Sequence, residues 1–253
     1  MRLRLIRHAT LRVELAGRKL LVDPMLDEPG ARPAVANTEN DRRNPLVPLP
    51  LPVADVVAGI DAVIVTHLHA DHLDGAAVEA LDPGLPLFCQ PEDEPALHER
   101  GFTDLRPVDE AVPFGDGLVI SRTAARHGSG EVGERMAPAS GFVLAADGEP
   151  TLYVAGDTIW CDEVAAAITA HGPDVTVVNA GAAQFVEGGP ITMNAADVID
   201  LAQGVPSTQV VAVHMEAINH CLLTREELRH HLRRMGLAAW VLVPEDGEEI
   251  VID

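Results

Sequence analysis

The chain has 253 residues, of which 47% are hydrophobic and 23% are charged, a composition that is ordinary for a folded globular protein and argues against disorder. The formal net charge of −21 argues against DNA or RNA as the main partner, because lysine and arginine drive binding to phosphate backbones. The three cysteines show no CxxC spacing, which favours a reduced cytoplasm. Because no stretch approaches membrane-spanning length and the N-terminal apolar residues are interrupted by Arg7, His8 and Arg12, we expect no signal peptide and no transmembrane segment.

The first quarter of the chain predicts strands, an irregular loop and a short helix. Apolar and polar residues alternate in TLRVEL (10–15), which follows a first strand at 3–7 and precedes a third at 19–23. Residues 27–52 are rich in proline and asparagine and are too long for a plain connector, so we expect a lid or a binding loop there. A short helix at 53–59 follows this Pro-rich loop.

The rest of the chain predicts strands and helices that alternate with increasing regularity. Asp147-Gly148 marks a hairpin turn, and Thr224 with Glu227 forms the capping box of a late helix. The predicted elements are strands at 61–66, 85–90, 118–128, 142–158, 174–181, 208–214, 238–243 and 249–252, and helices at 73–81, 91–100, 162–172, 194–204 and 224–236. Both halves combine hairpins with strand-to-helix crossings, so we expect an α/β fold of two mixed sheets with helices outside.

Three histidines and two aspartates follow the apolar strand at 61–66, in the segment VIVTHLHADHLDG. Such groups are costly to bury unless they are paired or bind a metal. His67 and His69 lie two positions apart in an extended segment, so both side chains point to one side and can converge on a cation. Asp71 and His72 come where the chain turns and point to a neighbouring position for a second cation. Nitrogen and carboxylate ligands suit zinc, manganese or ferrous iron.

Three more ionisable side chains end apolar runs further along the chain: His127 in TAARHG, Asp157 in YVAGDT and His214 in VVAVH. Strand ends followed by polar or glycine-containing turns are where α/β proteins display catalytic side chains. We therefore expect these residues to complete the site.

The order HLHADH, lone histidine, GDT and strand-terminal histidine resembles the metallo-β-lactamase superfamily, whose signature is HxHxDH. The similarity runs along essentially the whole chain. GRKLLVDP (17–24) is typical of the broad branch that includes ascorbate 6-phosphate lactonase and the N-acylphosphatidylethanolamine phospholipase D. The resemblance implies an αββα sandwich of two mixed β-sheets, formed as a single domain over residues 1–253.

The resemblance also implies two divalent metal ions, with zinc as the first choice and manganese or iron as alternatives. The implied ligands are His67, His69 and His127 for the first ion, Asp71, His72 and His214 for the second, and Asp157 as the bridge between them. Flavodiiron oxidoreductases of this superfamily usually carry glutamate at the second position of HxH. The histidine at position 69 therefore favours hydrolysis over oxygen chemistry.

A hydrolytic mechanism follows from the charges at such a site. Two divalent cations outweigh the carboxylates of Asp71 and Asp157, so the site stays cationic. Zinc lowers the pKa of bound water from about 15.7 toward about 7, so a metal-bound hydroxide would attack a small ester, lactone or phosphoester, with Asp71 orienting it. A phosphodiesterase, an iron-dependent oxidoreductase such as a persulfide dioxygenase, and a non-catalytic metal-binding protein are the alternatives.

Several further residues are candidates for catalysis. His8 ends the first strand and either faces the site or is a structural hydrogen-bonding residue. His220 is the best candidate to protonate the leaving group, and Glu216 is a candidate to bind substrate. Asp23 is expected to form a turn or to support a ligand. Four other histidines lie on predicted polar helix faces or ends, where solvated side chains are expected: His98, His171, His230 and His231.

Other polar residues are candidates for substrate binding. Asn179 ends a strand and either donates a hydrogen bond to an oxyanion or only forms a turn. Arg42 and Arg43 in the Pro-rich loop either clamp the carboxylate or phosphate of an anionic small-molecule substrate, or are solvated. The apolar residues of LVPLPLP (46–52) would cover the site or serve a contact in a homo-oligomer.

Overall fold

The computed structural model describes residues 1–115, 117–136 and 138–252. The strands are β1 (Arg2–Arg7), β2 (Thr10–Leu15), β3 (Arg18–Val22), β4 (Ala62–Val65), β5 (Leu87–Cys89), β6 (Leu105–Pro107), β7 (Ala111–Phe114), β8 (Leu118–Ala124), β9 (Ser140–Ala145), β10 (Leu152–Val154), β11 (Val175–Asn179), β12 (Gln209–Val213), β13 (Val241–Leu242) and β14 (Glu249–Val251). The helices are α1 (Val53–Val57), α2 (Gly75–Ala80), α3 (Glu94–Glu99), α4 (Gly130–Met136), α5 (Asp162–His171), α6 (Ala195–Gly204) and α7 (Arg225–Met235).

The strands form two mixed sheets of seven strands each. The first has the order β14-β1-β2-β3-β4-β5-β6 and is antiparallel up to β3 and parallel from β3 to β6. The second has the order β13-β12-β11-β10-β9-β8-β7 and is parallel up to β10 and antiparallel beyond it. Each half of the chain thus combines a meander with parallel crossings, as its pattern predicts.

Apolar side chains pack in three layers, one between the two sheets and one on the outer face of each sheet. Side chains such as Val13, Ile64, Phe142 and Val177 fill the space between the two sheets. The outer face of the first sheet packs against α1, α2 and α3, and that of the second against α5, α6 and α7. β4 and β11 are buried on both faces, so the sequence of β4 is entirely apolar and that of β11 is apolar except for Thr176 and Asn179. The predicted αββα sandwich is confirmed.

The sequence missed two of the strands at sheet edges, β6 and β7, and one helix. β6 and β7 are short, contain Pro107 and Pro113, and lie at the ends of their sheets, where proline does not interrupt a ladder on both sides. The predicted helix at 91–100 divides into a 3₁₀ turn, Pro91–Asp93, and α3. α4 was not predicted from the glycine-rich segment that contains it. Within the described residues, no helix is long and apolar enough to cross a membrane.

The Pro-rich loop has no regular element beyond one β-bridge between Arg32 and Asn44. Its position is fixed by Arg7, which is fully buried beneath it. The Arg7 guanidinium donates to three backbone carbonyl oxygens at 2.9 Å each, those of Met25, Asp27 and Val47. Both ends of the loop are therefore held by one side chain. Leu49 and Leu51, from the apolar LVPLPLP stretch, pack against the helical layer of the first sheet.

Candidate metal centre

Two groups of four ionisable side chains lie side by side at one edge of the sandwich. One group is His67, His69, His127 and Asp157, and the other is His8, Asp71, His72 and His214. In each group the atoms that could bind a metal all lie within 4.8 Å of one another. The structure thus brings together all seven residues predicted as ligands, in the predicted division, and adds His8 to the second group.

The direction of the strands places the clustered residues at this edge of the sandwich. β1, β4, β8, β10 and β12 all present their C-terminal ends there, and each is followed by one or more of the clustered residues. Functional side chains of α/β proteins gather at such ends. Gly156 precedes Asp157 with a φ of 68°, and a Cβ at this position would lie 2.4 Å from the carbonyl oxygen of Ser140. Only glycine fits before that aspartate.

The two sheets are joined directly at the site. The backbone N–H of His214 donates to the carbonyl oxygen of His8 at 2.9 Å. Both residues have positive φ, 70° and 61°, a conformation that is uncommon outside glycine and often marks functional turns. Their rings lie against each other, with centroids 3.5 Å apart and planes tilted by 36°. The local backbone therefore fixes both imidazoles against each other.

Asp157 lies between the two groups. Its Oδ2 is 3.3 Å from Nε2 of both His72 and His127, and its Oδ1 is 3.3 Å from Nε2 of His214. Burial raises the pKa of Asp157, but the nearby imidazoles of His214, His72 and His127 outweigh it and hold the pKa well below its usual range. This carboxylate, ionised and in reach of both groups, has the placement that the sequence predicts for a bridging ligand.

Buried polar groups behind the cluster fix its orientation. Asp23 accepts hydrogen bonds from His72 Nδ1 at 2.8 Å and from the hydroxyl of Thr66 at 2.7 Å. Asn179 donates from Nδ2 to Oδ1 of Asp157 at 2.6 Å, so it holds that carboxylate. Such outer hydrogen bonds set the tautomer and direction of metal-binding side chains.

Several ring nitrogens at the site are not used in hydrogen bonds to the surrounding protein. Nε2 of His72 and Nε2 of His214 are buried and have no hydrogen-bond partner among the described residues. His127 contacts the carbonyl oxygen of Ile191 through Nδ1 at 2.7 Å, which leaves its Nε2 for the site. Buried polar atoms without partners are costly, and several lone pairs that converge with two carboxylates are the donor set of a divalent cation. The residues present therefore fit the predicted metal ions.

His8 faces the site, which the sequence left open. Its Nε2 is 3.0 Å from Oδ2 of Asp71. Burial, together with His214, lowers the pKa of His8 to about 3, so its imidazole is neutral at neutral pH. A neutral His8 contributes a hydrogen bond to Asp71 and no charge.

A cavity of about 450 Å³ opens onto both groups. Apart from the cluster residues, its lining is mostly apolar: Arg32, Pro33, Ala34, Val35, Asn44, Ala70, Met136, Phe185, Ile191, Ile218 and His220. Nδ1 of His220 is buried and has no hydrogen-bond partner among the described residues. Burial lowers the pKa of His220 to about 4, so a neutral imidazole lines the pocket beside the cluster.

The structure does not bring three of the predicted substrate-binding residues to this pocket. Arg42 and Arg43 are exposed, and the guanidinium of Arg43 donates to the carbonyl oxygens of Gly30 and Ala31. Glu216 pairs with the guanidinium of Arg225. Among the described residues, the arginine that lines the pocket is Arg32, which belongs to the same loop. No sequence signal distinguishes it from Arg42 and Arg43. The histidines expected to be solvated are exposed: His98, His171, His230 and His231.

Known proteins carry the same arrangement of sequence and fold. A family model described as a beta-lactamase superfamily domain matches residues 18–215. The UPF0173 protein YddR of Bacillus subtilis is 39% identical over 246 residues, which cover 96% of each chain. The chain belongs to the metallo-β-lactamase superfamily. Within it, the chain belongs to the UPF0173 family, and a relative in Azorhizobium caulinodans with 27% identity over 97% of each chain is named a UPF0173 metal-dependent hydrolase.

Two solved structures of this superfamily are similar over the whole chain. An isothiocyanate hydrolase from Delia radicum gut bacteria is 39% identical, with a TM-score of 0.95 over 100% of this chain and 99% of that one. A "possible metal-dependent hydrolase" from Veillonella parvula is 31% identical, with a TM-score of 0.96 and the same coverage. The resemblance drawn from HLHADH is therefore confirmed.

Proposed function

We propose that the protein is a binuclear metal-dependent hydrolase that adds water to the electrophilic carbon of a small neutral substrate with an apolar group. Organic isothiocyanates are the first class of substrate. The observation that carries the proposal is the apolar pocket that lies directly against both groups of ligating residues. The similarity to an isothiocyanate hydrolase supports the choice of class.

The charges around the pocket favour a neutral substrate. Sites for phosphate or carboxylate usually present arginine or lysine side chains that are free to pair with the anion. Among the described residues that line the pocket, Arg32 is the one cationic side chain other than histidine. Its Nη2 has no hydrogen-bond partner among them, but its charge is already balanced by the carboxylate of Asp27, which lies 2.8 Å from its Nε. An anionic phosphoester is therefore less well served than an isothiocyanate, an ester or a lactone.

The reaction consumes one water. Its oxygen bonds to the central carbon of R–N=C=S, its two protons reach the nitrogen, and the carbon–nitrogen bond breaks to release R–NH₂ and carbonyl sulfide. Two divalent cations, with zinc as the first choice, would supply an activated water and polarise the substrate when bound. The carboxylates of Asp71 and Asp157 would bind the cations and offset part of their positive charge. His220 would pass a proton to the departing nitrogen.

The pocket and the ligand groups are tested together by purified protein loaded with Zn²⁺ and given benzyl isothiocyanate. We expect release of benzylamine and carbonyl sulfide, and loss of activity in His127→Ala with a lower metal content. His171→Ala, which changes an exposed histidine at the end of α5, is the matched control and should keep wild-type activity. Phenyl acetate, a simple lactone and bis(4-nitrophenyl) phosphate are given in parallel.

The outcome separates the classes of substrate. Turnover of the ester or lactone but not of the isothiocyanate would move the proposal to those neutral substrates. Turnover of the phosphodiester alone would contradict it. A metal content of one iron per chain would favour an iron-dependent oxidoreductase.

The three cysteines are free, which supports a reducing cytoplasm as the proposed location. A homo-oligomer stays a prediction.

A further inference from the structure

Asn219 connects the pocket to the part of the Pro-rich loop that covers it. This residue is buried and lies between Ile218 and His220, both of which line the pocket. Residues 32–35 of the Pro-rich loop line the same cavity. Asn219 itself is not among the residues that line the cavity, so its side chain has another use.

The side-chain amide of Asn219 is fully used by the loop. Oδ1 accepts from the backbone N–H of Val35 at 2.9 Å and from Nδ2 of Asn44 at 2.7 Å. Nδ2 donates to the hydroxyl of Thr38 at 2.7 Å and to the carbonyl oxygen of Asn40 at 2.9 Å, with Val35 O at 3.3 Å as a third contact. An amide has two donor hydrogens and one oxygen with two lone pairs, and here each has a partner.

The backbone of Asn219 extends the same connection. Its N–H donates to Oδ1 of Asn44 at 2.9 Å, and its carbonyl oxygen accepts from Nδ2 of Asn40 at 2.8 Å. The segment around it is closed on itself, because Arg32 and Asn44 exchange both of their backbone hydrogen bonds. Residues 32–44 are therefore wrapped around one asparagine, and this segment is called the roof loop below.

We infer that Asn219 is a positioning residue that sets the substrate specificity of the pocket, because its hydrogen bonds fix the position of the roof loop relative to the ligating residues. Arg7 holds the two ends of the Pro-rich loop, whereas the bonds of Asn219 to Val35 hold the apolar wall formed by Pro33, Ala34 and Val35. The inference rests on the proposed function for the identity of the substrate, and not for the role of the residue. It predicts that loosening the loop weakens binding of a bulky apolar group more than the reaction at the small electrophilic carbon.

Asn219→Asp is the sharpest change, because aspartate has the same shape but no donor. It would face the carbonyl oxygens of Val35 and Asn40 with a negative oxygen in place of an N–H group. Thr38→Val removes a neutral hydroxyl that accepts from Asn219 and itself lies within donating distance of the carbonyl oxygens of Val35 and Asn40, and it serves as a milder variant if the first does not fold. Asn194→Asp is the matched control, since aspartate is an equally good N-cap residue for α6.

The measurements use the metal-loaded protein. With benzyl isothiocyanate, KM in Asn219→Asp should rise by about tenfold while kcat changes little, since the loss of one apolar contact surface has about this effect. With methyl isothiocyanate, which has almost no apolar group, KM should change by less than about twofold. Thr38→Val should show the same pattern at smaller size, and Asn194→Asp neither effect.

Two further readouts do not depend on turnover. Backbone amides of the roof loop should exchange with deuterium faster in Asn219→Asp than in wild type, while those of β4 and β11 keep their protection. Dipicolinate should also remove the metal faster, because the pocket is more open. If wild type hydrolyses neither isothiocyanate, the choice of isothiocyanates as substrate fails and these two readouts alone decide the role of Asn219. Equal losses with both substrates, or unchanged exchange in the roof loop, would overturn the inference.

Discussion

Asp23 offers a direct test of how the fold holds the second group of ligands. The carboxylate is almost completely buried and accepts three hydrogen bonds. Oδ2 accepts from His72 Nδ1 and from the Thr66 hydroxyl, and Oδ1 accepts from the Thr66 backbone N–H at 2.8 Å. Asp23→Asn keeps the shape of the side chain but replaces one acceptor by an NH₂ group. If that group faces His72, it meets the ring N–H, and if the amide is flipped, it meets the Thr66 N–H.

The size of the effect follows from the bond that is lost. A hydrogen bond to a charged group contributes about 1.5–3 kcal/mol, and each 1.4 kcal/mol corresponds to about a tenfold change in affinity. We therefore expect the affinity for the second metal ion to fall roughly 10- to 100-fold, in line with the usual effect of losing such an outer hydrogen bond. The first ion should be affected less, because Asp23 makes no hydrogen bond to His69 or His127 among the described contacts.

The assay is a competitive titration of metal-free protein with Zn²⁺ in the presence of a chromophoric chelator. Wild type should take up two ions, whereas Asp23→Asn should compete for the second much less well. Asp61→Asn is the control, because Asp61 also accepts a backbone N–H, that of Lys19 at 2.7 Å, at the start of β4. An Asp23→Asn protein that is folded and binds both ions with wild-type affinity would refute the assigned role of this carboxylate.

Two predictions concern stability. Arg7→Met should lower the free energy of unfolding by about 2–4 kcal/mol in chemical denaturation, because it leaves the carbonyl groups of Met25, Asp27 and Val47 without their donor; a change below about 0.5 kcal/mol would contradict this. Burial raises the pKa of Asp93 to about 6, so the folded protein loses stability as pH rises from the unfolded-state value through the folded-state pKa. Asp93→Asn should therefore gain about 1 kcal/mol relative to wild type between about pH 5 and about pH 8 in metal-free protein, and a pH-independent difference would exclude Asp93 as the cause.

The sequence predicts the layers of the fold because strong local patterns carry them. β4 is a continuous apolar run, β11 is mostly valine, and α7 has a capping box and a left-handed terminal Gly236, so each is visible within a few residues. The candidate ligating residues are equally visible, since ionisable side chains after apolar strands have few structural uses. β6 and β7 were missed because edge strands are short and tolerate proline.

The sequence does not predict the contacts between distant loops. The bonds of Asn219 to the roof loop span 175 to 184 positions and depend on neither periodicity nor composition. The same reason explains the arginines: of three in one loop, Arg32 lines the pocket and Arg43 binds loop carbonyls, and the difference arises from the path of the backbone. Which polar residues shape the pocket is therefore a property of tertiary structure.

The origin of the ligands links metal binding to the folding of the sandwich. His8 and the HLHADH segment belong to the first sheet, whereas His127, Asp157 and His214 belong to the second. Neither sheet alone presents a complete group, so a metal ion would bind the assembled sandwich and not the unfolded chain. Ligands that bind only the folded state stabilise it by mass action. In the absence of an ion, the same convergence of buried imidazoles and carboxylates costs stability. The apolar core between the sheets must therefore supply enough free energy to hold the ligands in place before any ion arrives, and the buried valine-rich strands β4, β11 and β12 are suited to do so.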